Sequence, residues 1–542
     1  MPNPPSAYPD RVYLIASGDQ RESANRQCWP AQHELESLLE VAFRDRGIEL
    51  VRAHRYSPER GHGFIGSQRD GLDVTNSLPP DAWVVVAIAA WQYSHHVLPG
   101  LLERAAPILT VANWSGTWPG LVGLLNLNAC LTKAQVPYST IWSETFDDVH
   151  FGEALDSWLG TGRIAHDSSH VTAFDTTLLP EASVRTARKI ADGVRRDKVI
   201  IGVFDEGCMG MSNAVIEDRF LNRLGVFKER LSQSALLAEM GLVTEAEAAA
   251  VIAWLRGRGM RFETGTSEES DLTERQLVDQ GRMYIAAARM ADAFGCDAIG
   301  IQYQQGLKDM APASDLVEGL LNNPDRPPVR ERGGTRELYA GRALTHFNEV
   351  DEGSAVDGVI TDLVWRSLGL DPSNTLHDVR WGEEYDLDGR PTYVWTWQIS
   401  GAVPASHLSG GYAGAHGFRQ PAMYFPRGGS TLAGVCRPGE LVWSRVYVAD
   451  DALNVDLGRG RAVQLPVDET ERRRRRTTYA WPIMHAVLDG VSRDQMMARH
   501  QSNHVQVAYA PDRVSADEAL RIKGAVLAEL GLRVHLCGIG HT

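Results

Sequence analysis

The chain has 542 residues, of which 54 are Lys or Arg and 69 are Asp or Glu, giving a formal charge of −15. That length exceeds one ordinary hydrophobic core and implies several domains. With 43% hydrophobic and 23% charged residues, a mainly disordered chain or a fibre is excluded. The acidic balance argues against a general nucleic-acid or anionic-membrane partner.

The N-terminal stretch MPNPPSAYPDRVYLIAS has no basic leader region, long apolar segment or small-residue cleavage site, so a cytoplasmic protein is expected. Runs such as AWVVVAIAAW (82 to 91) reach about half of the ~20 residues needed to span a bilayer, and they read as buried strands. From 11 to about 165, strand-like runs alternate with helical ones: RVYLIAS (11 to 17), IELVRA (48 to 53), AWVVVAIAA (82 to 90), PILTVAN (107 to 113) and YSTIWS (138 to 143). Such alternation predicts a parallel sheet covered by helices. WSGTWPGLVGLLNLNACLTKA sets Gly and Pro ahead of an apolar helix, as a loop-to-helix entry at the C-terminal edge of a strand would.

A second α/β segment follows, with KVIIGVFD (198 to 205), a long helix around 271 to 294 and the strand DAIGIQYQQ (297 to 305), whose alternation would put Gln302 and Gln304 on one face. NNPDRPPVRERGGT (322 to 335) reads as a surface excursion. Beyond about 370, short β-like runs dominate: LHDVRW, TYVWTWQIS, ELVWSRVYVA, RAVQLP and HVQVAYAP. They predict an antiparallel sheet or barrel. SADEALRIKGAVLAELG has a Ser N-cap signal, and RVHLCG closes the chain as a strand. The expected fold is therefore two Rossmann-like α/β domains, 1–170 and 171–355, followed by a β-rich, barrel-like domain, 356–542.

The six cysteines, Cys28, Cys130, Cys208, Cys296, Cys436 and Cys537, are widely spaced without a CxxC pair, so reduced thiols are expected. Phosphate-loop, zincin and esterase motifs are absent. The run Arg472 to Arg476 reads as a solvated loop or an anion-binding edge. More informative are two acidic strand ends, ALTHFNEVDEG and LHDVRWGEE, joined by the helical segment SAVDGVITDLVWRSLG. A β–helix–β path of this length could bring Glu349 and Asp378 into one crevice, where carboxylates bind a hard divalent cation or act merely as caps and solvated charge. His504, just ahead of a strand in SNHVQVAYAP, is by itself an ordinary buried or capping histidine.

Taken in order, AAWQYSHH, VANWSGTWPGLVGLLNLNACLTKAQVPYSTIW, GVFDEGCMGMSNAVIE, GIQYQQG, NEVDEGSAVDG, LHDVRW, QISGAVPA and QSNHVQVAY resemble the L-fucose isomerase family, which includes relatives such as the L-arabinose isomerases. The resemblance covers most of the chain. It implies that Glu349, Asp378 and His504 bind a divalent metal, Mn²⁺ or another, and that the two carboxylates also move protons. It further implies substrate contacts from Gln302, Ser400, Tyr424 and Trp481, with Trp91 and Arg21 contributed by a neighbouring subunit of a homo-oligomer, a hexamer in the family.

The implied activity is aldose–ketose isomerisation of a free sugar through an enediolate. The sugar would be L-fucose- or D-arabinose-like, or a modified 6-deoxyhexose such as a sulfonated one. Val350 replaces a polar residue of the family pattern, and the loop SHLSGGYAGAHGFRQPAMYFPRGG is not a close match. In that loop Arg419 and Arg427 are either backbone-ordering groups or contacts for an anionic substituent. Two other classes stay open: a non-catalytic sugar-binding or regulatory protein, and a metal-dependent lyase or epimerase acting on a related sugar acid.

Overall fold

The computed structural model describes residues 9–207, 209–401 and 403–540. Cys208 and the first eight residues of MPNPPSAYPDRVYLIAS lie outside them. The chain is mixed α/β, with two parallel sheets and a mostly strand C-terminal region. By internal contact it forms two compact units. The smaller takes the described residues up to Ser168 with Gly210–Asn213 and Asp494–Asn503, and the larger takes the remainder.

In the smaller unit, strands β1 (Arg11–Ile15), β2 (Glu49–Arg52), β3 (Trp83–Ile88), β4 (Ile108–Asn113) and β5 (Ser139–Ser143) form one parallel sheet in the order β2-β1-β3-β4-β5. All five expected strands are present. β3 and β4 are buried almost throughout, which is why both read as continuous Val, Ile, Leu and Ala rather than as alternation. Helix α1 (Glu22–Arg44) follows β1. Helix α2 (Gly120–Lys133) is buried from Gly120 to Leu131. Its two early glycines allow that depth: a Cβ on Gly120 would stand 3.0 Å from the Ala89 carbonyl, and one on Gly123 would stand 2.6 Å from the Ala90 oxygen. The strand order reverses between β1 and β3, the kind of crevice where open α/β sheets bind ligands.

The larger unit begins with a second parallel sheet, order β9-β8-β6-β7, from β6 (Val199–Phe204), β7 (Val226–Leu231), β8 (Ala298–Ile301) and β9 (Thr345–His346). Helix α3 (Glu274–Ala293) leads into β8 and starts at a capping box of Thr273 and Gln276. β8 stops at Ile301, earlier than expected. Tyr303 then takes φ 58°, and the Gln304 amide donates to the Gln302 carbonyl at 2.7 Å. Gln302 and Gln304 therefore sit in a turn, and strand alternation does not govern them.

The antiparallel ladder runs β12-β15-β10-β11-β14-β13, made of β10 (Asn374–Leu387), β11 (Arg390–Gln398), β12 (Gly439–Ala449), β13 (Ala452–Ala462), β14 (Ile483–Leu488) and β15 (His504–Ala510). β13 also pairs with β12 over eleven residue pairs, so the ladder returns on itself. Closure leaves few free strand edges. β16 (Arg533–Cys537) extends β13 in parallel, and the short strand Val171–Ala173 pairs with β16.

Four local expectations change. RAVQLP is a strand only at Arg461 and Ala462, because the strand is the preceding segment, β13. The N-cap of helix α7 (Arg513–Leu530) is Asp512, which accepts the Ser515 amide, rather than a serine. Asp378 lies inside β10, and Glu349 lies in a 3₁₀ turn after β9, so neither is at a strand end.

The arginine run is not a loop but the end of helix α6 (Val467–Arg476). Intrahelical pairs hold it: Arg472 and Arg473 with Glu469, and Arg474 with Glu471. Arg473 is fully buried against the Val394 carbonyl, and the Arg476 guanidinium lies 4.6 Å from the Trp381 ring centroid.

Cys130, Cys296 and Cys436 are buried free thiols. Burial pushes Cys296 and Cys436 up to about 12. No described helix is long and apolar enough to cross a membrane.

Helix α4 (Asp315–Leu321) packs on α3 and β9, and helix α5 (Glu352–Ser367) packs on β12, β15 and β10 of the ladder. α5 begins hard against β12, where a Cβ on Gly353 would meet the Val446 carbonyl oxygen at 2.5 Å. Gly353→Ala should therefore lower unfolding stability by about 1–3 kcal/mol in a denaturant titration, since the obstacle is backbone and cannot rotate away.

Candidate active site

Two ladder strands and one strained turn bring three of the expected residues together. In the antiparallel pairing of β10 with β15, Asp378 stands directly opposite His504. The pairing of β10 with β11 is irregular between Val379 and Trp381, the type of local break that re-aims side chains near functional sites. Glu349 arrives from the other sheet. After β9 the chain turns through Glu349 (φ 55°, ψ 20°) and Val350 (φ 57°) before α5 starts. A β-branched residue in the left-handed region is an outlier, costing on the order of 1–3 kcal/mol. Val350 is fully buried, and its packing holds the turn that presents Glu349.

The result is a convergence on one ring nitrogen. His504 Nε2 lies 3.6 Å from Glu349 Oε2 and 3.6 Å from Asp378 Oδ1. The histidine is fully buried, whereas the two carboxylate side chains keep 18% and 13% of their surface exposed. The ring's other nitrogen, Nδ1, is 2.7 Å from Asp351 Oδ2. That same oxygen accepts from Arg445 at 2.5 Å, while Asp351 Oδ1 caps α5 by accepting the Ser354 amide at 3.1 Å. Burial opposes the charged form of His504, but hydrogen bonds to Asp351 and Glu349 and the charges of Asp351 and Asp378 raise it to about 10. Burial likewise works against the Asp351 carboxylate, yet Arg445 and His504 hold it below the usual carboxylate range.

Among the described residues, no group of three or more His, Cys, Asp or Glu side chains stands in an arrangement that could hold a metal ion. The three donors are nonetheless of the right kind: two carboxylates and an imidazole whose far nitrogen is held by a carboxylate. Metal–ligand bonds of roughly 2.1 Å at right angles put neighbouring donor atoms about 3 Å apart. The 3.6 Å separations from His504 Nε2 to the two carboxylate oxygens are wider than that spacing.

Two further carboxyl groups stand nearby. Asp315 and Glu318, one turn apart on α4, are almost wholly buried. Glu318 Oε1 accepts from Ser314 Oγ at 2.6 Å, while Glu318 Oε2 and Asp315 Oδ2 have no hydrogen-bond partner. Gly401, beside Ser400, packs directly on the pair: a Cβ there would lie 2.6 Å from Glu318 Oε2 and 2.8 Å from Asp315 Cα. For Asp315, burial and the charges of Glu318 and Glu349 raise proton affinity well above the carboxylate range. Burial, partly opposed by the Ser314 hydroxyl and aided by Glu349, pushes Glu318 up to about 8.

The other expected residues are distributed as follows. Tyr424 and Trp481 form a tilted pair 6.4 Å apart, and the Trp481 indole donates to Gln420 Oε1 at 2.8 Å. Gln302 is buried with both ends of its amide engaged, Nε2 donating to the Gly207 carbonyl at 3.3 Å and Oε1 accepting the Gln305 amide at 2.8 Å. Ser400 is buried at the turn above Glu318. Trp91 and Arg21 belong to the smaller unit, where they follow the C-terminal ends of β3 and β1. Arg21 is buried and grips Asp19 through Nε and Nη2. Arg419 donates to the carbonyls of Gln420, Glu268 and Pro426, and Arg427 to that of Asp309. Both arginines order backbone.

Sequence reading missed Asp351, Arg445, Asp315 and Glu318. Each carried a signal: Asp351 precedes Ser354 in a helix-start spacing, Arg445 is a lone charge in the apolar run ELVWSRVYVA, and Asp315 and Glu318 punctuate the apolar DLVEGLL.

No family model matches the chain, and no curated protein matches it.

The raised Glu318 makes a signed prediction. Its stabilising contribution is complete below its ordinary value of 4.5 and is lost as pH rises through about 8; the full swing is up to about 5 kcal/mol. Urea unfolding in chelator should show Glu318→Gln close to wild type at pH 5 and more stable than wild type at pH 9. An unchanged difference between the two pH values would refute the assignment.

Proposed function

We propose that this chain is a divalent-metal-dependent aldose–ketose isomerase acting on a free sugar, of the L-fucose or D-arabinose type or a modified 6-deoxyhexose such as a sulfonated one. The observation that carries the reading is the meeting of Glu349, Asp378 and His504 at one ring nitrogen, three residues far apart in sequence that the resemblance to the L-fucose isomerase family had assigned to one metal. Arg419 donates through Nη1 and Nη2 to backbone carbonyls, and Arg427 through Nε alone, so the choice between a neutral and an anionic sugar is left to the substrate panel.

On this reading Glu349, Asp378 and His504 hold the ion, Mn²⁺ by resemblance. When bound, the ion polarises the sugar carbonyl and stabilises negative charge developing on the adjacent oxygens. The chain's own groups handle the protons. One carboxylate removes the proton from C2 of the aldose and returns it to C1, and the other passes a proton between the C1 and C2 oxygens. Their partial exposure leaves an oxygen of each open to substrate, while the burial of His504 keeps the imidazole out of the proton traffic. Tyr424 and Trp481 supply an aromatic wall for the sugar's apolar face. Arg21 and Trp91 belong to the proposal as contributions from a neighbouring copy in a homo-oligomer.

With Mn²⁺ present, wild type should convert L-fucose, D-arabinose or a sulfonated 6-deoxyhexose to the ketose, measured by ketose formation across that panel. Glu349→Gln and Asp378→Asn should each lose about 10²–10⁴-fold in kcat or more while keeping the circular dichroism spectrum. Undiminished turnover by both variants in metal-stripped buffer would remove the proposal.

A further inference from the structure

Asp351 is doing more than starting a helix. Its two carboxylate oxygens are both committed, Oδ1 to the Ser354 amide and Oδ2 to His504 Nδ1 and Arg445 Nη1. Arg445 Nη1 also reaches Ser354 Oγ at 3.1 Å, so the guanidinium is tied to both ends of the first helical turn. All of this is sealed: the side chains of Asp351 and His504 have no exposed surface, and Arg445 has 1%. A helix cap alone needs neither burial nor a guanidinium, because exposed Ser, Thr, Asp and Asn serve equally well.

A carboxylate can only accept a hydrogen bond. Opposite Asp351, Nδ1 must therefore carry the proton, which in the neutral ring leaves the lone pair on Nε2, the atom facing Glu349 and Asp378. Arg445 supplies the counter-charge that keeps Asp351 ionised and fixed in this role. We propose that Asp351, braced by Arg445, is a positioning residue that sets the tautomer and aim of His504 as a metal ligand. This deepens the reading of the site as a divalent-metal centre and rests on it.

Co²⁺ is the probe, because its visible spectrum reports the ligand field independently of turnover. Metal-stripped full-length protein is titrated with Co²⁺ and followed by absorbance for wild type, Asp351→Asn, Arg445→Lys and Glu349→Gln, with the unfolding midpoint of each recorded in chelator. Asn caps helices as well as Asp, so Asp351→Asn keeps the start of α5 but no longer dictates the ring tautomer. The expected result is a 10- to 100-fold weaker Co²⁺ affinity and an altered spectrum for Asp351→Asn. A smaller change in the same direction is expected for Arg445→Lys, which still carries a charge and covers the case in which Asp351→Asn does not fold. Lowered midpoints with wild-type affinity and spectrum in the folded variants would reduce Asp351 to a structural cap and overturn the inference alone. Absence of Co²⁺ binding by wild type, or binding unaffected by Glu349→Gln, would overturn the metal reading and this inference with it.

Discussion

One buried carboxylate carries three obligations in this molecule. Asp351 ends the strained turn from β9, begins α5, and faces both a guanidinium from β12 and an imidazole from β15. Each buried ion would cost several kcal/mol in isolation; together they are tolerable only if the helix start and the two strands keep one relative placement. The geometry at Glu349 follows from that placement. Two residues before Asp351, the chain has no freedom to relax its left-handed turn, so the Glu349 side chain is delivered to the same ring nitrogen that Asp378 reaches from β10.

The parallel sheets were legible because burial on both faces writes itself as uninterrupted Val, Ile and Ala, as in WVVVAI and ILTVAN, with glycine-led helices between them. The ladder strands were legible for the opposite reason, short apolar runs bounded by turn residues. What the linear pattern could not carry was anything set by pairing across the fold. Arg472 to Arg476 looks like a solvated charge run until Glu469 and Glu471 are seen one turn back on the same helix and Trp381 beneath it. GIQYQQG looks like a strand to its end, but the positive φ of Tyr303 converts its polar half into a turn.

The candidate site divides the same way. Glu349, Asp378 and His504 were proposed on a resemblance, and both carboxylates lie 3.6 Å from one ring nitrogen; spacing alone favoured caps or solvated charge for Glu349 and Asp378. Asp351 and Arg445 escaped because their meaning is pairwise: an aspartate ahead of a helix reads as a cap, and an arginine in a strand reads as an anomaly, until the two are seen 2.5 Å apart. Asp315 and Glu318 escaped because acids in the short apolar run DLVEGLL signal only an interruption, and that both turn inward beneath Gly401 shows only in the fold.

Charge balance explains why these inward acids belong with the site. Arg445 is already matched to Asp351, and Glu349, Asp378, Asp315 and Glu318 are four carboxyl groups in the region of His504. Four ionised carboxylates there would repel strongly at low effective dielectric. Without an ion, His504 holds an extra proton and Asp315 and Glu318 hold theirs, which is the pattern of raised proton affinities the structure shows. On the proposed reading, Glu349, Asp378 and His504 would hold a divalent ion whose charge would compensate the two carboxylates, and His504 would bind through an unprotonated Nε2. Asp315 and Glu318, sealed behind the Ser400 turn, then keep their protons and add no charge to the ion's surroundings. On that reading their burial would let two more acids lie near the ligands without competing for the ion.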